Sequence, residues 1–163
     1  LLNEHAVPAP FVLVGHSTGG LIVRLYANSH PGEVAGLVLV DSSHEDQFER
    51  FAIMMAGGAR GTYLDHEWGR NLERLNVVES GNQVRGARDL PAVPLFVLSS
   101  AWGEISATVH RELQADLARL RPDARHRLVE TGHFIQNEAP AVVVDAIREV
   151  VHDAQRTSGQ QAQ

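Results

Sequence analysis

The sequence predicts an α/β fold: a mostly parallel sheet with flanking helices and a helical cap insertion. Three observations carry this. Short apolar runs at 11–14 (FVLV), 35–40 (AGLVLV) and 94–99 (PLFVLS) alternate with stretches of helical periodicity. The runs are continuous rather than alternating, as in strands buried on both faces of a parallel sheet. Finally, Ser17, Asp41, the loop 99–104 and His133 each follow a strand directly, which gathers them on the sheet edge where ligands bind in such folds.

At 163 residues the chain has the length of one domain, and its 44% hydrophobic and 21% charged residues are ordinary for a soluble globular protein. A net charge of −6 with no basic block argues against nucleic acid as a partner. The chain has no cysteine, which excludes disulfides, cysteine nucleophiles and thiolate metal sites. No apolar run reaches the roughly 20 residues that span a bilayer. The chain opens at Leu1-Leu2-Asn3-Glu4-His5, which reads as the end of a helix already under way. An N-terminal truncation is therefore expected, and the lack of a signal peptide carries no information. A cytoplasmic location is the default expectation.

Taken in order, the helix remnant 1–5 closes at Pro8 and Pro10, and the first strand follows. It ends in Gly15-His16-Ser17-Thr18-Gly19, a G-x-S-x-G pattern between strand and helix, the context of a nucleophile elbow. Bulkier residues at the motif glycines are expected to collide with the neighbouring strand and helix. Leu21, Ile22, Leu25 and Tyr26 form the stripe of the next helix, with Arg24 and Asn28 off it, and His30-Pro31-Gly32 stops it. The second strand runs into Asp41-Ser42-Ser43.

Residues 44–93 are richer in charge and glycine and contain no strong strand. Phe48, Phe51, Ala52 and Met55 fall on one helix face, a weak helix covers 66–75, and 80–88 is polar. This stretch reads either as a cap or lid or as a long crossover packed on the sheet; its length for a simple connection favours the cap. After the third strand, Val109, Leu113, Leu117 and Leu120 mark an amphipathic helix. A short polar strand at 127–130 suits a sheet edge. Thr131-Gly132-His133 follows, and Pro140 opens a last helix. The expected organisation is a core of 1–43 and 94–153, a cap of 44–93 and a disordered tail of 154–163.

The segments GHSTG, GLVLVDSS, PLFVLSS and TGHFIQNEAP together make the chain resemble the α/β-hydrolase family, over about residues 1–153. In the family's layout this corresponds to the C-terminal two-thirds of a domain. The resemblance implies Ser17 as nucleophile and His133 as the base that takes its proton. The acid that orients His133 is Asp41, with Glu104 as the alternative and Asp46 third. Thr18 offers a backbone N–H to the oxyanion hole, whose second donor comes from a much earlier loop in the family. His16 is expected to point away from the serine.

The implied activity is a serine hydrolase acting on an ester-like carbonyl through an acyl-enzyme, with carboxylic ester hydrolysis the default. Thioester, amide or C–C hydrolysis, acyl transfer and cofactor-free peroxidation use the same constellation. A non-catalytic binder or inactive fragment is the competing class, since the resemblance leaves one apolar edge of the 11–14 strand open. No cofactor and no metal are implied. The expected partner is a small-molecule substrate with an apolar acyl or alcohol part, and Phe48, Phe51, Met54 and Met55 are candidates to line its pocket. A phosphate loop is excluded because Leu21 and Ile22 stand where lysine and serine or threonine would be, and His66-Glu67 lacks the second histidine of a zinc-hydrolase motif.

Overall fold

The computed structural model describes residues 7–54, 76–87, 89–102 and 107–161. Its elements are β1 (Phe11–His16), α1 (Gly19–Ser29), a 3-10 turn (Pro31–Glu33), β2 (Val34–Val40), α2 (Gln47–Met54), α3 (Val77–Arg85), β3 (Leu95–Ser100), α4 (Ala107–Ala118), β4 (Arg125–Val129), α5 (Ile135–Glu138) and α6 (Pro140–Gln161). The strands form one sheet in the order β1-β2-β3-β4, parallel throughout. The helix remnant at 1–5, the helix at 66–75, Met55 and Glu104 lie outside the described residues.

The continuous apolar runs follow from helices on both faces. Val38, Val40, Phe96 and Leu98 pack with Val143, Ala146 and Val150 of α6. Leu37, Leu39, Leu95 and Val97 point the other way, towards Ala27 of α1 and Leu117 of α4. Adjacent residues of β2 and β3 thus serve opposite cores, so neither strand has a solvent face to mark with polar residues. β4 is the polar terminal strand, with Arg125 paired to Glu149 and Asp153 of α6. At the other end, β1 pairs with β2 alone among the described strands, and Val14 is exposed.

The structure extends or departs from the expectations at four places. Arg24, off the apolar stripe of α1, is nevertheless fully buried, and its Nη1 lies 2.8 Å from Glu45 Oε2. The polar stretch at 80–88 is largely helical: α3 starts on Asn76, whose side chain accepts the Glu79 N–H at 3.0 Å. Residues 154–161 are not a disordered tail, because α6 continues to Gln161, and 162–163 lie outside the described residues. Ala154 is buried, and Asp153, just before it, is anchored by Arg125. Finally, the motif glycines do not share one steric role. A Cβ on Gly15 would lie 2.7 Å from Gly19 O and Gly20 Cα, but one on Gly19 would meet nothing within 4 Å; on Gly20, just past the motif, it would lie 1.7 Å from Ser42 Oγ.

Candidate active site

The register of the sheet sets the site. His16 pairs with Val40, so Ser17 and Asp41 each stand one residue past the last paired position of neighbouring strands. Both have positive φ, 53° at Ser17 and 41° at Asp41, in the left-handed region that residues other than glycine seldom occupy. Such strain persists only where surrounding bonds hold it. Here Ser17 N donates to Val40 O at 3.3 Å, Ser17 O accepts from Gly20 N at 3.0 Å and from Ser43 N at 2.9 Å, and Asp41 N donates to Leu98 O at 2.7 Å. The elbow and the end of β2 therefore brace each other.

His133 arrives from the loop after β4. Gly132 N donates to Glu138 Oε2 at 3.1 Å, tying the loop to α5. His16 Nε2 donates to the His133 carbonyl at 3.0 Å, and the two rings lie 4.5 Å apart between centroids. His16 thus braces the His133 loop. His133 Nδ1 is 2.7 Å from Asp41 Oδ2, with the His133 side chain 33% exposed and that of Asp41 only 3%.

Asp41 also accepts, at Oδ1, from Ser100 N at 2.7 Å and from His110 Nε2 at 3.0 Å. Burial pushes its carboxyl up, but the hydrogen bonds from His110, His133 and Ser100 N, with the charge of His110, outweigh it and hold the carboxyl well below the usual carboxylate range. An ionised carboxylate only accepts hydrogen bonds, so the His133 proton resides on Nδ1 and the Nε2 lone pair is left to act as a base. Among the described residues no hydrogen bond joins the Ser17 hydroxyl to His133. Such bonds are often long before substrate binds.

The other candidates separate. Asp46 is engaged elsewhere, its Oδ1 accepting from Arg85 Nη2 at 2.7 Å and Nε at 3.1 Å. Thr18 stands at the N-terminal end of α1, where its carbonyl accepts from Leu21 N. Phe48 and Phe51 are buried, and neither lines the apolar cavity of about 340 Å³ beside Thr18. That cavity lies between α1 and α3 and is bounded by Leu21, Ile22, Leu25, Tyr26 and Val84. Among the described residues no group of His, Asp or Glu side chains could hold a metal ion. The sequence reading missed His110, which sits on a helix with no motif around it.

The model of the alpha/beta hydrolase fold family matches residues 4–76, a span that includes Ser17 and Asp41. Among solved structures, one described with the carboxylesterases of the ammonia-oxidizing thaumarchaeon Nitrososphaera gargenis superposes with a TM-score of 0.64 at 18% identity, covering 96% of this chain and 70% of that one. This chain has the alpha/beta hydrolase fold. A thermophilic esterase from Thermogutta terrifontis shares the fold at TM-score 0.57 and 21% identity, over 94% of this chain and 68% of that one. A hydrolase from Pseudomonas aeruginosa does so at TM-score 0.58 and 19% identity, over 92% and 67%. No curated protein matches the chain by sequence. No helix among the described residues is long and apolar enough to cross a membrane.

Proposed function

We propose that the protein is a serine hydrolase that cleaves a carboxylic ester through an acyl-enzyme. The observation that carries this is the 2.7 Å bond from His133 Nδ1 to Asp41 Oδ2 at the strand end next to Ser17. With Nδ1 committed to Asp41, Nε2 takes the Ser17 proton as Oγ attacks the carbonyl carbon. The resulting imidazolium is stabilised by Asp41 and gives that proton to the leaving alcohol. Water then attacks the acyl-enzyme, with His133 again as base, and Ser17 is regenerated. Charge developing on the carbonyl oxygen is met by the Thr18 N–H and the N-terminal end of α1.

The cavity between α1 and α3 supports an apolar acyl or alcohol part in the substrate. It begins at Thr18 and runs along α1 to His30, walled by leucine, isoleucine and valine. Helix α3 belongs to residues 44–93, which this reading assigns as the cap over a core of 1–43 and 94–153. Phe48 and Phe51, both buried, then support the cap rather than line the pocket.

A series of nitrophenyl esters of increasing acyl length tests both parts. The protein is expected to turn them over, Ser17→Ala to abolish turnover, and Leu25→Trp to shift preference to shorter chains. Equal turnover by Ser17→Ala overturns the proposal, and an unchanged length preference in Leu25→Trp removes the cavity from it.

A further inference from the structure

We infer that His110 is a positioning residue that locks the Asp41 carboxylate and, through it, the tautomer and orientation of His133. The torsion that turns a carboxylate about its last bond is broad and weakly restrained by itself. At Asp41 it is fixed from both oxygens. Oδ2 accepts from His133 Nδ1 at 2.7 Å, while Oδ1 accepts from Ser100 N at 2.7 Å and from His110 Nε2 at 3.0 Å. Two donors on Oδ1 hold the plane of the carboxylate so that Oδ2 faces His133.

His110 is well placed for this. It lies in the first turns of α4, directly after the β3 segment that supplies Ser100 N, and its side chain is 13% exposed. Its Nε2 also lies 3.5 Å from Ser100 Oγ, so the ring is steered from the same side that feeds Oδ1. Because the ionised carboxylate only accepts, His110 Nε2 carries a proton and donates it to Oδ1. Without this donor, Oδ1 keeps only the Ser100 N–H, and the carboxylate gains freedom to turn away from Nδ1. His133 then divides between its two tautomers, and the fraction with a basic Nε2 falls.

The kinetic arm of this inference rests on the hydrolase reading; the structural arm does not. Nitrogen NMR of the protein with 15N-labelled histidine reports which ring nitrogen of His133 carries the proton. His110→Gln reaches Oδ1 with an amide N–H, His110→Asn is too short to reach it, and His110→Phe has no donor. The protein and His110→Gln are expected to show one Nδ1–H tautomer, and His110→Asn and His110→Phe a mixture. Ester kcat is expected to fall about 10-fold in the latter two with KM unchanged, the loss of one hydrogen bond to a charged group, and to return most of the way in His110→Gln. A role confined to packing would lower the melting temperature of His110→Asn without moving the tautomer or kcat. A single Nδ1–H tautomer with unaltered kcat in both His110→Asn and His110→Phe overturns the inference. Absence of ester turnover by the unsubstituted protein overturns the hydrolase reading instead, and the tautomer comparison still decides the role of His110.

Discussion

Asp41 and His133, 92 residues apart in the chain, meet at 2.7 Å between Oδ2 and Nδ1. The contact exists because β2 and β4 end on the same edge of one sheet with β3 between them. Asp41→Asn preserves the volume and replaces the acceptor with an amide, which no longer favours a proton on Nδ1. In a serine triad this tautomer change costs about 10⁴ in kcat, and a loss of that order is expected here. Steady-state kinetics on a short nitrophenyl ester reads it, and turnover within a few-fold of the parent would remove Asp41 as the acid.

The two adjacent glycines after Thr18 are expected to respond in opposite ways. Gly19→Ala meets open space in the first turn of α1 and should be neutral or stabilising by up to about 1 kcal/mol, since alanine is the better helix former. Gly20→Ala drives its Cβ to 1.7 Å from Ser42 Oγ and 2.5 Å from Ser42 Cβ, and should cost roughly 1–3 kcal/mol as an overpacked site. Adding Ser42→Gly should recover most of that. Urea midpoints of the four proteins check the order; equal losses in both single variants contradict it.

Arg24 and Glu45 form a buried ion pair beneath the elbow helix. Burial pushes the Glu45 carboxyl up, but the hydrogen bond and charge of Arg24, with the charge of His44, bring it below its ordinary value. Glu45→Leu alone leaves an uncompensated buried guanidinium and is expected to cost about 3–5 kcal/mol, whereas Arg24→Met with Glu45→Leu should be close to neutral. Among the described residues the Arg24 Nε and Nη2 have no hydrogen-bond partner, which favours the apolar replacement. Denaturant unfolding of the two variants tests this.

Acid stability should depend on Asp41. Its folded carboxyl is held below the value of about 4 that it has in the unfolded chain, so unfolding takes up a proton as the solution is acidified. The stabilisation is complete above about pH 5 and is lost as pH falls through the lowered folded value. Asp41→Asn removes this contribution, so its unfolding free energy should fall less between pH 7 and pH 3 than that of the parent. Parallel pH dependence in the two proteins would show that Asp41 is not the group responsible.

Much of this was legible in the sequence because the physics is local. A strand buried on both faces must be apolar, as β2 and β3 are, whereas the equally apolar run 11–14 forms a terminal strand whose Val14 is exposed. Ser17 and His133 stand out because a tight turn and a glycine-led loop leave marks in neighbouring residues. Asp41 was one acid among three, since nothing at Asp41 itself records which strand pairs with which. Arg24 and His110 were illegible for a related reason. A charged residue inside a helical stretch reads as solvent-facing unless its partner is known. Those partners, Glu45 and Asp41, are set by tertiary packing 21 and 69 residues away.

The most direct test of the central claim is labelling by a fluorophosphonate, which reacts with a serine only where a neighbouring base activates it. The folded protein should gain one phosphonyl adduct, mapped by mass spectrometry to Ser17, and Ser17→Ala should gain none. A folded protein that remains unlabelled at Ser17 would contradict the account.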